Sequence, residues 1–210
     1  MRYYIADCHF YHRNLLTNLD KRPFSSVEEM NSYMIKKWNE KVRTNDDVVV
    51  IGDLSFGNGE ETNQILEELN GKIYLIKGNH DGMFLSDRHF KLSRLEWVKD
   101  YEEMNDNKRK VVLMHYPVFC YNGQNKFDQE GKARTYMLYG HVHNTYDQVL
   151  VDSFISETRK STRIMAHGTV ETNIPCQMIN CFTMYSDYTP LSLDEWIESD
   201  RERRRKLSLE

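Results

Sequence analysis

"IYLIKGNHD", residues 73–81, runs an apolar stretch through Lys77 and Gly78 into an amide, an imidazole and a carboxylate. The apolar part is continuous rather than alternating, so it reads as a strand buried on both faces. Three adjacent polar groups at the end of such a strand are costly to desolvate unless a ligand or a metal takes up their hydrogen bonds and charge. Asn79, His80 and Asp81 are therefore candidates for a functional site.

Four other stretches repeat this arrangement. "YYIA" leads into Asp7 and His9, "DVVVIG" into Asp53, "KVVLM" into His115, and "TYMLYG" into His141 and His143. Helical patterns lie between the strands. Val27, Met30, Met34, Trp38 and Val42 recur at helical spacing after Ser25 and Ser26, which are placed to cap with Glu28 or Glu29. A second helix is expected over about 60–70, stopped by Gly71, and a third over 148–160. Ser192 with Glu195 makes a capping box that opens a last helix over about 193–210. Strands alternating with helices predict an α/β fold with parallel pairing.

The 210 residues suit one domain over 1–210, with no repeat and no linker. The net charge of -4 is spread along the chain, so the sequence marks no nucleic-acid or membrane surface. The four cysteines match neither a zinc module nor a CxxC pair, which fits reduced thiols and a cytoplasmic location. No apolar window is long enough to cross a membrane, and "MRYYIADCHF" lacks the apolar core of a signal peptide. The basic end from Arg201 to Lys206 reads as a solvated helix end that complements the helix dipole, in preference to a phosphate-attracting arm. "MNDNKRK", residues 104–110, reads as a surface loop.

In α/β sheets the ligand crevice lies at the carboxyl ends of the strands, so residues distant in sequence converge there. Within a cluster, i and i+2 face the same way on an extended segment, which pairs Asp7 with His9 and His141 with His143. Imidazole nitrogens mixed with carboxylate and amide oxygens suit Mn, Fe or Zn better than Ca or Mg. There are too many ligands for one tetrahedral ion, so two divalent ions are expected, with Asp53 as the natural bridge.

The series D-x-H, G-D, G-N-H-D, H, G-H-x-H, matched by "DCH", "GD", "GNHD", "MH" and "GHVH" over residues 7–143, resembles the calcineurin-like metallophosphoesterases. The resemblance implies a four-layer α-β-β-α sandwich of two mixed sheets, with a dinuclear centre at one edge. By the same resemblance Asp7, His9 and His143 hold one metal, Asn79, His115 and His141 hold the other, and Asp53 bridges. A bridging hydroxide would be the nucleophile. His80 would contact phosphate and protonate the leaving group, with Asp81 orienting it, and Asn79 would also touch substrate.

"DCHFYHRNLL", "RPF" and "HYPV" are similar to a small bacterial and phage branch of that family, which implies His12 near the phosphate, with a surface histidine at a loop start as the alternative. Cys8 departs from the small hydroxylic residue expected between the first two ligands. Arg22 reads as a helix-flanking charge rather than the alternative of a phosphate clamp, and His89 and His167 as structural or solvated.

The implied activity is hydrolysis of a phosphate ester, either a small molecule or a nucleotide. A diester is favoured over a monoester because no cap segment is evident. A binding module on the same fold and a nucleic-acid-processing phosphodiesterase are the alternatives, and the retained ligand set argues against the first.

Overall fold

The computed structural model describes residues 1–164 and 171–209; His167 lies outside the described residues. Strands β1 (Arg2–Ile5), β2 (Asp47–Ile51), β3 (Lys72–Ile76) and β4 (Trp97–Lys99) form one sheet in that order, with every pair parallel. A second sheet has the order β10 (Met178–Asn180), β7 (Thr135–Tyr139), β6 (Arg109–Met114), β5 (Tyr101–Asp106). It is mixed, with β5 antiparallel to β6 and the rest parallel. This second sheet is mixed, as expected, whereas the first, also expected to be mixed, is wholly parallel over its described strands. A short hairpin pairs β8 (Thr162–Ile164) with β9 (Glu171–Asn173).

Helix α1 (Val27–Lys41) starts where Ser26 Oγ accepts the Glu29 N–H, and α2 (Gly59–Glu68) starts at an Asn58–Glu61 capping box. Both lay apolar stripes on the outer face of the first sheet. Val27, Met30, Met34 and Trp38 of α1 and Ile65 and Leu66 of α2 pack with Tyr3, Ile5, Val48, Val50, Ile73 and Leu75. The short helix α3 (Gly82–Leu85) follows β3, and Phe84 joins the same core.

The alternate residues of those strands, Tyr4, Val49, Ile51 and Ile76, face Val111, Leu113, Leu138 and Ile179 of the second sheet. On that sheet's outer side, Val112, Met137, Tyr139 and Met178 pack against Val151 and Ile155 of α4 (Tyr146–Lys160). The result is a four-layer α-β-β-α sandwich. Burying each large aliphatic or aromatic side chain is worth about 1.5–3 kcal/mol, so three apolar layers supply the main stabilisation.

Helix α5 (Leu193–Lys206) opens at the Ser192–Glu195 capping box and inserts Trp196, whose indole N–H donates to the Tyr4 carbonyl at 2.8 Å. Its basic end differs from expectation. Arg204 is only 2% exposed, and Arg203 donates two 2.8 Å hydrogen bonds to Asp152. These cations tie α5 to α4, while Arg201, Arg205 and Lys206 are exposed as expected. The stretch 104–110 also differs: Asn107 and Lys108, both left-handed at φ 46° and 66°, make the tight turn between β5 and β6.

Candidate metal centre

Every candidate ligand follows the carboxyl end of a parallel strand: Asp7 after β1, Asp53 after β2, Asn79 after β3, His115 after β6 and His141 after β7. The two sheets meet there. The Ala6 N–H donates to the Cys181 carbonyl at 2.8 Å, and the Thr183 N–H to the Ala6 carbonyl at 3.0 Å.

Convergence inside the clusters has a different origin from strand alternation. Asp7, His9, Asp53, His141 and His143 lie beyond their strands with φ of 56°, 51°, 55°, 71° and 48°, in the left-handed region. Such backbone costs about 1–3 kcal/mol per residue and collects at functional sites, where the surrounding structure holds it. Turning after each left-handed residue brings i and i+2 to one cavity.

Ligand atoms of Asp7, His9 and His143 lie within 4.8 Å of one another, as do those of Asp7, Asp53 and His115. Asp53 Oδ2 lies 3.4 Å from His9 Nε2 and 3.5 Å from His115 Nε2, so this one oxygen faces both groups. Asn79 Oδ1 completes the second group, 3.1 Å from His115 Nε2 and 2.9 Å from His141 Nδ1. Asp7, His9, Asp53, His115 and His143 are buried, while Asn79 and His141 are exposed.

Neighbouring groups aim these ligands. His143 Nδ1 is 2.6 Å from Asp20 Oδ1, and His115 Nδ1 is 2.9 Å from the Ile51 carbonyl. Each contact holds the Nδ1 proton and turns Nε2 inward, where it can serve as a lone pair once its own proton is displaced. The His141 backbone N–H donates to Asp7 Oδ1 at 2.9 Å, and the His80 N–H to Asp53 Oδ1 at 2.9 Å. Glycines make room for this packing. A Cβ on Gly78 would sit 2.2 Å from Asp53 Oδ1, and one on Gly52, itself at φ 83°, would sit 2.2 Å from His115 Nδ1.

The electrostatics fit a cation. Burial, and secondarily Asp53, push the Asp7 carboxyl up, and burial pushes the His9 imidazole well down. Burial alone would lower His115, but the Asp53 and Asp7 carboxylates raise it to about 9. Burial would raise Asp53, yet His115 and His9 hold it well below the carboxylate range. His9 Nε2 and His143 Nε2 stand 3.2 Å apart, and His143 Nε2 lies 3.6 Å from Asp7 Oδ1. Lone pairs converging at such distances from imidazoles and carboxylates make a donor set that divalent transition ions satisfy.

Two sequence readings need correction. Asp81 does not orient the His80 ring: its buried carboxylate accepts the backbone N–H groups of Asp53, Leu54 and Gly78 at 2.9, 2.8 and 2.7 Å. It pins the β2 and β3 loops together, and burial lifts its pKa to about 6. Arg22 is no flanking charge. It is 1% exposed, donating to the Cys8 carbonyl at 2.6 Å, the Asp7 carbonyl at 2.9 Å and Asp20 Oδ2 at 2.9 Å. It thereby clamps the left-handed turn that carries Asp7. Asp20, missed in the sequence, links Arg22 to His143, and its two-residue spacing from Arg22 was the only signal.

His80 is half-buried at the rim, with its ring centroid 5.4 Å from that of His9. His12 reaches the same rim, its Nδ1 3.3 Å from His9 Nδ1 and its ring stacked at 4.0 Å on the exposed Phe56. Phe56 also went unread in the sequence. Burial and the neighbouring His80 lower the His12 pKa to about 4. His89 is exposed and paired with Asp87, as expected.

An α-β-β-α sandwich with histidines, carboxylates and an amide gathered at its strand ends defines a metal-site protein of the phosphoesterase type. The profile of the calcineurin-like phosphoesterase superfamily domain matches residues 3–175, and the chain belongs to that superfamily. It is 33% identical over 195 residues to the uncharacterised protein MJ1445 of Methanocaldococcus jannaschii, covering 91% of this chain and 86% of that one. Its fold is similar to the crystal structure of AQ665, a protein of unknown function from Aquifex aeolicus. That match has a TM-score of 0.61 and 19% identity, over 93% of this chain and 96% of that chain. The superfamily uses divalent metals, and among the described residues no helix is long and apolar enough to cross a membrane.

Proposed function

We propose that this chain is a metal-dependent phosphoesterase that hydrolyses phosphate esters at a dinuclear centre. The observation that carries this reading is the position of Asp53 Oδ2, 3.4 Å from His9 Nε2 on one side and 3.5 Å from His115 Nε2 on the other. Asp7, His9 and His143 would hold one divalent ion, and Asn79, His115 and His141 the second, with Asp53 between them. Manganese, iron and zinc suit this mixture of donors. Such ions, when bound, supply an acidic water as nucleophile and offset the charge of the phosphoryl group.

The remaining work falls to the chain's own groups. His80, at the rim, donates an imidazole proton to the ester oxygen as its bond to phosphorus breaks, so the alcohol leaves neutral. His12, uncharged near neutrality, offers the phosphoryl group a hydrogen bond instead of a second positive charge. Asn79, at the exposed edge, is within reach of the same group.

A phosphodiester is favoured over a monoester, because Asn79, His141 and Tyr116 are exposed and leave the centre open on that side. A small-molecule ester or a nucleotide is the expected substrate. A cytoplasmic location accords with four free cysteines.

The test is hydrolysis of an aryl phosphodiester and the matching monoester by metal-stripped protein resupplied with manganese. Diester turnover that Asp53→Asn abolishes is the expected result. No turnover of either ester would favour a binding module, and a much faster monoester would reverse the substrate preference.

A further inference from the structure

We propose a second anion site: a cavity beside α4, α5 and β10 that binds a small oxyanion of the phosphate type. The cavity is about 110 Å³ and shares no lining residue with the metal centre. Arg159, Arg201, Arg204, Asp200 and Gln177 line it, together with two isoleucines. A water occupies about 30 Å³ of liquid, so the space takes a few waters or one tetrahedral anion.

The charge around it is unbalanced. Arg203 and Arg204 take up both nearby carboxylates, Asp152 and Asp200. Arg203 meets both carboxylates, donating to Asp152 Oδ2 at 2.8 Å and to Asp200 Oδ1 at 2.9 Å. Arg204 Nε takes Asp200 Oδ2 at 2.6 Å. Arg159 is left with neutral acceptors, the Cys176 carbonyl at 3.1 Å and Gln177 Oε1 at 3.0 Å. Arg201, at the exposed rim, is paired with Glu198 2.6 Å away and still adds positive charge at the mouth.

One half-buried cation, Arg159, is therefore in excess, and a charge partly withdrawn from water without a counter-charge is unfavourable. One donor is also unspent. Arg204, 2% exposed, carries a buried Nη1 with no aligned acceptor, although Asp152 Oδ1 is 3.3 Å away. A tetrahedral oxyanion supplies both missing things, a negative charge for Arg159 and an acceptor for Arg204 Nη1. Planar guanidinium forks match its geometry. Asp200 on the wall opposes it only weakly, since each of its oxygens already accepts from an arginine. The lowered pKa of Arg159, due to burial and then to Arg204, accords with a cation lacking its counter-charge.

The test is calorimetric titration of inorganic phosphate into the metal-loaded full chain at constant ionic strength. Asp53→Asn, which damages the metal centre, should still bind one phosphate. In that background Arg159→Gln should weaken binding at least about tenfold, as expected for losing a charged hydrogen bond, and Arg159→Lys should recover part of the loss. Arg201→Gln, at an exposed position that the fold tolerates, should weaken it about two- to threefold through the lost rim charge. It carries the test alone if Arg159→Gln does not fold. The proposal is overturned if Asp53→Asn binds no phosphate, or if the folded arginine variants bind it as tightly as their parent.

Discussion

The backbone N–H of His80 donates to Asp53 Oδ1 at 2.9 Å, while Oδ2 of the same carboxylate faces His9 and His115. The residue proposed to protonate the leaving group thus also aims the proposed bridge, through its main chain. Side-chain substitutions at position 80 leave this contact in place, so ring and backbone roles separate cleanly by experiment.

Asp53→Asn removes the charge that both ligand groups face and sets an NH₂ or a lone carbonyl oxygen in its place. Metal affinity should fall by more than the roughly 10–100-fold typical of outer partners. Metal analysis after gel filtration should find fewer than two ions per chain; two retained ions with near-native turnover would sink the bridging assignment.

Asp20→Asn keeps the shape beside His143 but not the charge that holds its Nδ1 proton, 2.6 Å away. One ion should bind about 10–100-fold more weakly, since the partner of a ligating histidine sets its orientation and basicity. Competition with a chelator should resolve one weakened and one unchanged site. Equal weakening of both would deny Asp20 its specific link to His143.

Replacing His80 with asparagine should leave both ions bound yet slow turnover by about 10²- to 10⁴-fold on esters with poor leaving groups. Esters with activated aryl leaving groups should suffer much less. Rates plotted against leaving-group pKa give the answer in their slope, and an unchanged slope would point to charge stabilisation by His80 instead.

Gly78→Ala forces a methyl to within 2.2 Å of Asp53 Oδ1, where no flexible chain end is available to yield. Overpacking of this kind costs about 1–3 kcal/mol, so thermal unfolding should shift down and metal content should fall with it. A variant of parental stability and metal content would show that the loop after β3 shifts freely, contrary to the packing described.

Metal uptake should release a proton from His115. Its folded pKa of about 9 exceeds the ordinary 6.5, so the metal-free protein holds this imidazole protonated at neutral pH. Its pairing with Asp53 stabilises the metal-free fold fully below 6.5 and is lost as pH rises through about 9. Metal must displace that proton, so affinity should climb with pH up to about 9. Calorimetry of metal binding in buffers of different ionisation enthalpy counts the protons; none released at pH 7 would contradict the raised value.

Sequence alone determined the five strands that carry the site, because each is a continuous apolar run ending in polar residues. It also determined the capped helices α1 and α5, whose signals are local: a serine followed three residues later by glutamate. The candidate metal-site residue types were legible for the same reason, since lone polar clusters at buried strand ends have few other uses. Strands such as β10, three residues long, carry no periodic signal and exist only because β7 pairs with them. The tertiary structure decided the rest. Arg22 and Asp20 look like surface charges in the chain and become buried struts because the turn carrying Asp7 folds over them. Asp81 stands beside His80 in sequence, yet its carboxylate goes to the N–H groups of the β2 and β3 loops, where unpaired buried donors would cost more than a lost side-chain contact. Such partners are set by packing between distant segments, and no local pattern in the chain encodes them.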